Sequence, residues 1–100
     1  MALSICQDQD YLGIRRWRWA VWVDGTPEEL DSVDHVTYIL HPTFHNPVKV
    51  VHNRETKFRL EATGWGTFTV YAKVMFRNGE ESTIQHDLVL VYPDGTPTLA

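Results

Sequence analysis

A period of two runs through most of this chain and leaves room for little besides strands. Residues 16–23, RWRWAVWV, set Trp17, Trp19, Val21 and Val23 on one face and Arg16, Arg18, Ala20 and Trp22 on the other. HVTYIL alternates through Val36, Tyr38 and Leu40, and KFRLEA through Phe58, Leu60 and Ala62. FTVYAKVMF places Phe68, Val70, Ala72, Val74 and Phe76 opposite Thr69, Tyr71, Lys73 and Met75. TIQHDLVLVY alternates through Ile84, His86, Leu88, Leu90 and Tyr92. Side chains on a strand alternate sides, so each run predicts one buried and one wetted face. Leu3–Gln9 and Val48–His52 are weaker candidates of the same kind. Turn chemistry separates the runs. Asn78-Gly79 predicts a two-residue hairpin of type I′, and Asp-Gly-Thr-Pro occurs at 24–27 and 94–97. Thr26-Pro27-Glu28-Glu29 reads as a capping box that allows one short helical turn before Ser32.

Seven or eight short antiparallel strands in 100 residues predict an all-β, immunoglobulin-like β-sandwich. The length predicts one domain over 1–100. A net charge of −4 supplies no basic footprint, so direct nucleic-acid binding is not expected. RRWRW at 15–19 is explained by alternation, with arginines in water and tryptophans in the core. No apolar run approaches the ~18 residues of a membrane span. The opening MALSICQDQD lacks a basic region, so no secretory signal is expected. A lone Cys6 excludes an internal disulfide and suits a reducing, intracellular compartment. Nothing in the pattern fixes an oligomeric state.

Catalysis has no motif here. Ser4, Ser32 and Ser82 lie in no nucleophile elbow, and no Gly-rich phosphate loop occurs. His41 and His45 are four apart, but Pro42 and Pro47 forbid the helix that would bring them to one face. No enzyme, metal or cofactor is expected. Two loops stand out instead, Leu40-His41-Pro42-Thr43-Phe44 with Pro47, and Gly64-Trp65-Gly66-Thr67-Phe68. Both place large aromatics among small residues at strand ends. Two arrangements fit this pattern: Phe44 and Trp65 facing each other across a slot, or two plugs closing the end of the sandwich.

These loops resemble those of the YEATS domain family. LHPTF-x-x-P at 40–47 is similar to its LH-x-S-F…P loop, and GWGTF at 64–68 to its G-W/Y-G/A-x-F loop. The frame agrees, in the Trp19–Gly25 strand, the Val36–His41 approach and His86-Asp87-Leu88, over about Trp19 to Val91. The resemblance implies a non-catalytic module that recognises acylated lysine, chiefly acetyl and crotonyl. It implies an aromatic sandwich of Phe44 and Trp65 around the flat acyl-amide, within the loop that Gly64 and Gly66 allow. The Thr43 hydroxyl, oriented by His41, would bond the amide, where the family usually has Ser. The backbone N–H of Trp65 would meet the acyl carbonyl, Phe68 would line the pocket, and Asp87 would face a basic flanking residue. A prokaryotic-type member would work in the cytoplasm on something other than a histone tail, and a eukaryotic one in the nucleus. The alternative is an interaction or scaffolding sandwich of a signalling protein that keeps the fold without binding acyl-lysine.

Overall fold

The computed structural model describes residues 3–42, 44, 46–64 and 68–96. Seven strands are found there: β1 (Ser4–Gly13), β2 (Arg16–Asp24), β3 (Val33–Ile39), β4 (Val48–Val51), β5 (Leu60–Gly64), β6 (Phe68–Phe76) and β7 (Glu81–Leu88). One short helix, α1 (Pro27–Asp31), joins β2 to β3, and a single 3-10 turn covers Arg54–Thr56. The strands form two antiparallel sheets of order β1-β2-β5 and β4-β3-β6-β7. This is the expected immunoglobulin-like sandwich. No helix among the described residues is long and apolar enough to cross a membrane.

The inward faces are those that alternation assigned. Trp17, Trp19, Val21 and Val23 of β2 meet Val36 and Tyr38 of β3 and Val70, Ala72 and Val74 of β6, all with almost no exposed surface. The assignment of Ala20 and Trp22 to a wetted face needs correction. β2 is the middle strand of its sheet, and Ala20 lies between Asp8 and Glu61 of its neighbours. Those longer side chains cover the small one, leaving Ala20 3% exposed. Trp22 is half-buried beneath the Arg59 guanidinium, 5.2 Å from the ring centroid.

The capping box forms as read. The Thr26 hydroxyl accepts from the Glu29 N–H at 3.1 Å, and the Glu29 carboxylate accepts from the Thr26 N–H at 2.9 Å. It seats Leu30, 2% exposed, against the end of the core. Two turns differ from expectation. Asn78-Gly79 does close a hairpin, but only Gly79 has positive φ, and Phe76 N–H reaches Glu80 O. That is the wider loop with a glycine bulge, so the type I′ reading is wrong. The β1–β2 loop is the two-residue turn with both central residues, Ile14 and Arg15, at positive φ.

β5 begins later than alternation predicts. Lys57 and Phe58 both have positive φ, 57° and 59°, and form no part of a strand. Phe58 is nonetheless fully buried, and its carbonyl accepts from the Tyr38 hydroxyl at 2.7 Å. The last predicted strand also stops early, at Leu88. Beyond it, glutamine side chains from β1 replace a backbone ladder. The Gln7 amide accepts from Val89 N–H at 3.2 Å and donates to Val89 O at 2.8 Å, and Gln9 accepts from Val91 N–H at 3.1 Å. This seam closes one side of the sandwich.

Candidate functional site

The antiparallel order brings the β1–β2 turn, the β3–β4 loop and the start of β6 to one end of the molecule. β2 pairs Trp17 with Gly64, and β6 pairs Phe68 with Leu88. The β3–β4 loop is pinched by Leu40 N–H to Pro47 O at 2.7 Å and turned by Phe44 N–H to His41 O at 3.0 Å. This folds the half-buried Phe44 back over the end of the core.

An aromatic cluster results. Phe44 and Phe68 have centroids 5.3 Å apart at 55°, and Trp19 meets them edge-on at 6.0 Å and 5.7 Å. His41 lies against Phe68 at 6.3 Å. Such tilted and edge-on contacts are the favoured aromatic geometries. Gly64 borders the cluster, since a Cβ there would stand 3.5 Å from the Phe44 ring and 3.7 Å from Trp19 Nε1. A larger side chain would fill the space beside that ring.

Of the predicted site residues, the structure gathers His41, Phe44, Gly64 and Phe68. Thr43, Trp65 and Gly66 lie outside the described residues. Asp87 sits one residue from the Phe68–Leu88 rung on β7, exposed, and accepts from the Thr69 hydroxyl at 2.8 Å. Alternation marked Trp19 only as core and missed its place in this cluster. Its indole N–H is buried without a hydrogen-bond partner among the described residues. A buried donor left unpaired is costly, and few persist in folded proteins.

A second aromatic group supports this end from the side. Tyr11, Trp17 and Tyr92 meet tilted or edge-on, with ring centroids 4.9–5.4 Å apart, and Trp17 Nε1–H donates to Val91 O at 2.8 Å. A groove of about 410 Å³ lies at the opposite end, lined by residues including Leu3, Ser32, Phe76, Arg77 and Ile84, and holds none of the motif residues.

The expectation of no metal rested on His41 and His45. Among the described residues, another set gathers ligand atoms within 4.8 Å: Asp34, His35 and His52. Asp34 and His35 are neighbours in sequence, but His52 lies just past the end of β4 and only the β3–β4 pairing brings it beside them, so no spacing rule could find the set. Two imidazoles and a carboxylate suit a transition-metal cation. The Asp34 carboxylate is already held below its ordinary pKa, chiefly by its hydrogen bond from His35 at 2.7 Å, with Arg77 and His52 adding positive potential. The Arg77 charge opposes a cation at this position.

A family model described as the prokaryotic YEATS domain matches residues 17–89. Transcription initiation factor TFIID subunit 14 of Schizosaccharomyces pombe is 34% identical over 89 residues, covering 85% of this chain and 36% of that protein. Subunit 14b of Arabidopsis thaliana is 32% identical over 82 residues, covering 77% of this chain and 30% of that protein. The chain thus spans about a third of these relatives. A crystal structure of the yeast AF-9 homolog Yaf9 superposes with a TM-score of 0.69 at 25% identity, covering 92% of this chain and 66% of that one. The Yaf9 YEATS domain bound to H3K27ac superposes equally, 0.69 at 24% identity, covering 96% of this chain and 75% of that one. The frame from Trp17 to Val89, with its two loop motifs at one end of a sandwich, makes this chain a member of the prokaryotic YEATS domain family.

Proposed function

We infer that the domain is a non-catalytic reader of acylated lysine. The observation that carries this reading is the convergence of Phe44, Phe68 and Trp19 where the two loop motifs meet, beside Gly64 and a buried, unpartnered indole N–H. Acylation removes the lysine charge and leaves a planar amide, apolar on its faces and polar only at N–H and C=O. A slot between Phe44 and Trp65 would stack on those faces. Thr43, steadied by His41, and the Trp65 backbone N–H would take the two polar atoms, and Phe68 would close the pocket. Asp87 would meet a basic residue on one side of the ligand. A charged, unmodified lysine would lose its hydration there without gaining a partner. The family label favours an acylated protein of a prokaryotic cell over a histone tail.

A few stacking contacts worth roughly 0.5–1.5 kcal/mol each and two hydrogen bonds of about 1 kcal/mol give dissociation constants of roughly 10 μM to 1 mM. The test is a titration with matched peptides carrying unmodified, acetylated or crotonylated lysine, followed by amide shifts. Selective binding of an acylated form is expected, weakened at least tenfold in Trp65→Ala and Phe44→Ala with the fold intact. Equal binding of the unmodified peptide, or none at millimolar concentration, would transfer the assignment to a scaffolding sandwich.

A further inference from the structure

The β1–β2 turn is built from the wrong residues. A two-residue hairpin loop with both central residues at positive φ normally uses Asn-Gly or Asp-Gly. Here the pair is Ile14 and Arg15, at φ 53° and 56°, preceded by Gly13 at 90°. A β-branched residue is among the least suited to that region, because its Cβ substituents crowd the backbone. Packing does not offset the strain. Ile14 is 93% exposed, and Leu12 beside it is 56% exposed. Strain held on exposed apolar residues is a mark of a surface that meets a ligand.

The position of this turn says which ligand. Tyr11 pairs with Trp17 and Trp17 with Gly64, so Leu12 to Arg16 project just past the rung that borders Phe44. Its charge is also unspent. Arg18 is held by Asp10, with Glu61 at 3.7 Å, whereas no ion pair among the described residues involves Arg15 or Arg16. Both are exposed, in a chain of net charge −4. Two exposed apolar residues and two arginines without an ion pair among the described residues thus share one turn, just past the Trp17–Gly64 rung.

We propose that this turn is a second half of the binding surface, docking the segment that flanks the acyl-lysine and selecting flanks that carry carboxylates beside a large apolar residue. The inference rests on the acyl-lysine reading and deepens it. Guanidiniums pair carboxylates in a forked geometry, and a Lys- or Arg-rich segment would be repelled where it lies on this turn, on a different side of the ligand from the basic residue assigned to Asp87. A nucleic-acid backbone would satisfy the arginines but leave Leu12 and Ile14 without a partner.

The test uses peptides with a central crotonyl-lysine and either Leu-Asp-Glu or Leu-Lys-Arg on one side of it, each side tried in turn with the other held constant, each also made unmodified, and a random 20-base-pair duplex. The wild type is expected to prefer the acidic acylated peptide over the basic one by fivefold or more. Ile14→Asn/Arg15→Gly installs the sequence the turn favours. It is expected to melt a few degrees higher, retain acyl dependence and lose the flank preference to within twofold. Arg15→Gln/Arg16→Gln, which keeps Ile14 in place, is expected to lose the same preference. Equal affinity for the two flanks with acyl dependence intact would overturn the proposal alone, as would tighter binding of the duplex than of the acidic peptide. A lower melting temperature in Ile14→Asn/Arg15→Gly would remove its premise. Loss of acyl dependence with every peptide would instead strike the reader assignment.

Discussion

The Tyr38 hydroxyl is the group on which one cross-sheet link depends. It is buried, burial raises its pKa well above the ordinary tyrosine value, and it donates to the Phe58 carbonyl. Tyr38→Phe leaves that carbonyl without this partner and is expected to cost about 1–3 kcal/mol in urea unfolding, with little change in slope. The acceptor itself sits in strained backbone. Lys57→Gly removes the Cβ penalty at φ 57° and is expected to be neutral or stabilising by up to about 1 kcal/mol, read from the same transitions. Its exposed contact to Asp24, at 4.0 Å, contributes little. Phe58 shows where alternation fails. Its burial was legible from the pattern, but its backbone was not, because tertiary packing holds a buried ring in place through a conformation its residue type disfavours.

At the scale of elements, the strands were legible and the turns less so. Trp17, Trp19, Val21 and Val23 announced β2, because sheet burial imposes its period directly on sequence. Asn78-Gly79 and Ile14-Arg15 reversed the turn rules, since loop type follows the register of the flanking strands and residue preference only biases it. The end of β7 is likewise set by side chains reaching in from β1. His86 Nε2 lies 2.6 Å from the Gln7 amide oxygen that also accepts from Val89. Burial lowers the His86 pKa below its ordinary 6.5. The unfolded chain therefore binds this proton at a higher pH than the folded one, and stability rises with pH across that interval. Melting temperature is expected to fall as pH drops below about 6.5, and His86→Gln is expected to flatten that slope.

For the molecule as a whole, the candidate site was legible as two motifs but not as a place. Only the antiparallel order puts His41 and Phe44 at the same end as Gly64 and Phe68, and only packing adds Trp19 to them. The same order leaves β4 as an edge strand with Val48 and Val50 exposed. Lys49, paired with the core residue Tyr38, turns its side chain to the inner face. An inward-turned charge on an edge discourages another strand from adding there. Lys49→Val is expected to increase self-association in sedimentation at about 100 μM and above, with the melting temperature unchanged or raised. The opposite side of the sandwich is closed differently, through the amides of Gln7 and Gln9. A backbone ladder forms almost whatever the residues, but this closure is spelled out in two codons. Substitution at either can loosen the join between the first strand and the last without touching the core, so within a lineage the tightness of this fold is a heritable setting that selection can adjust.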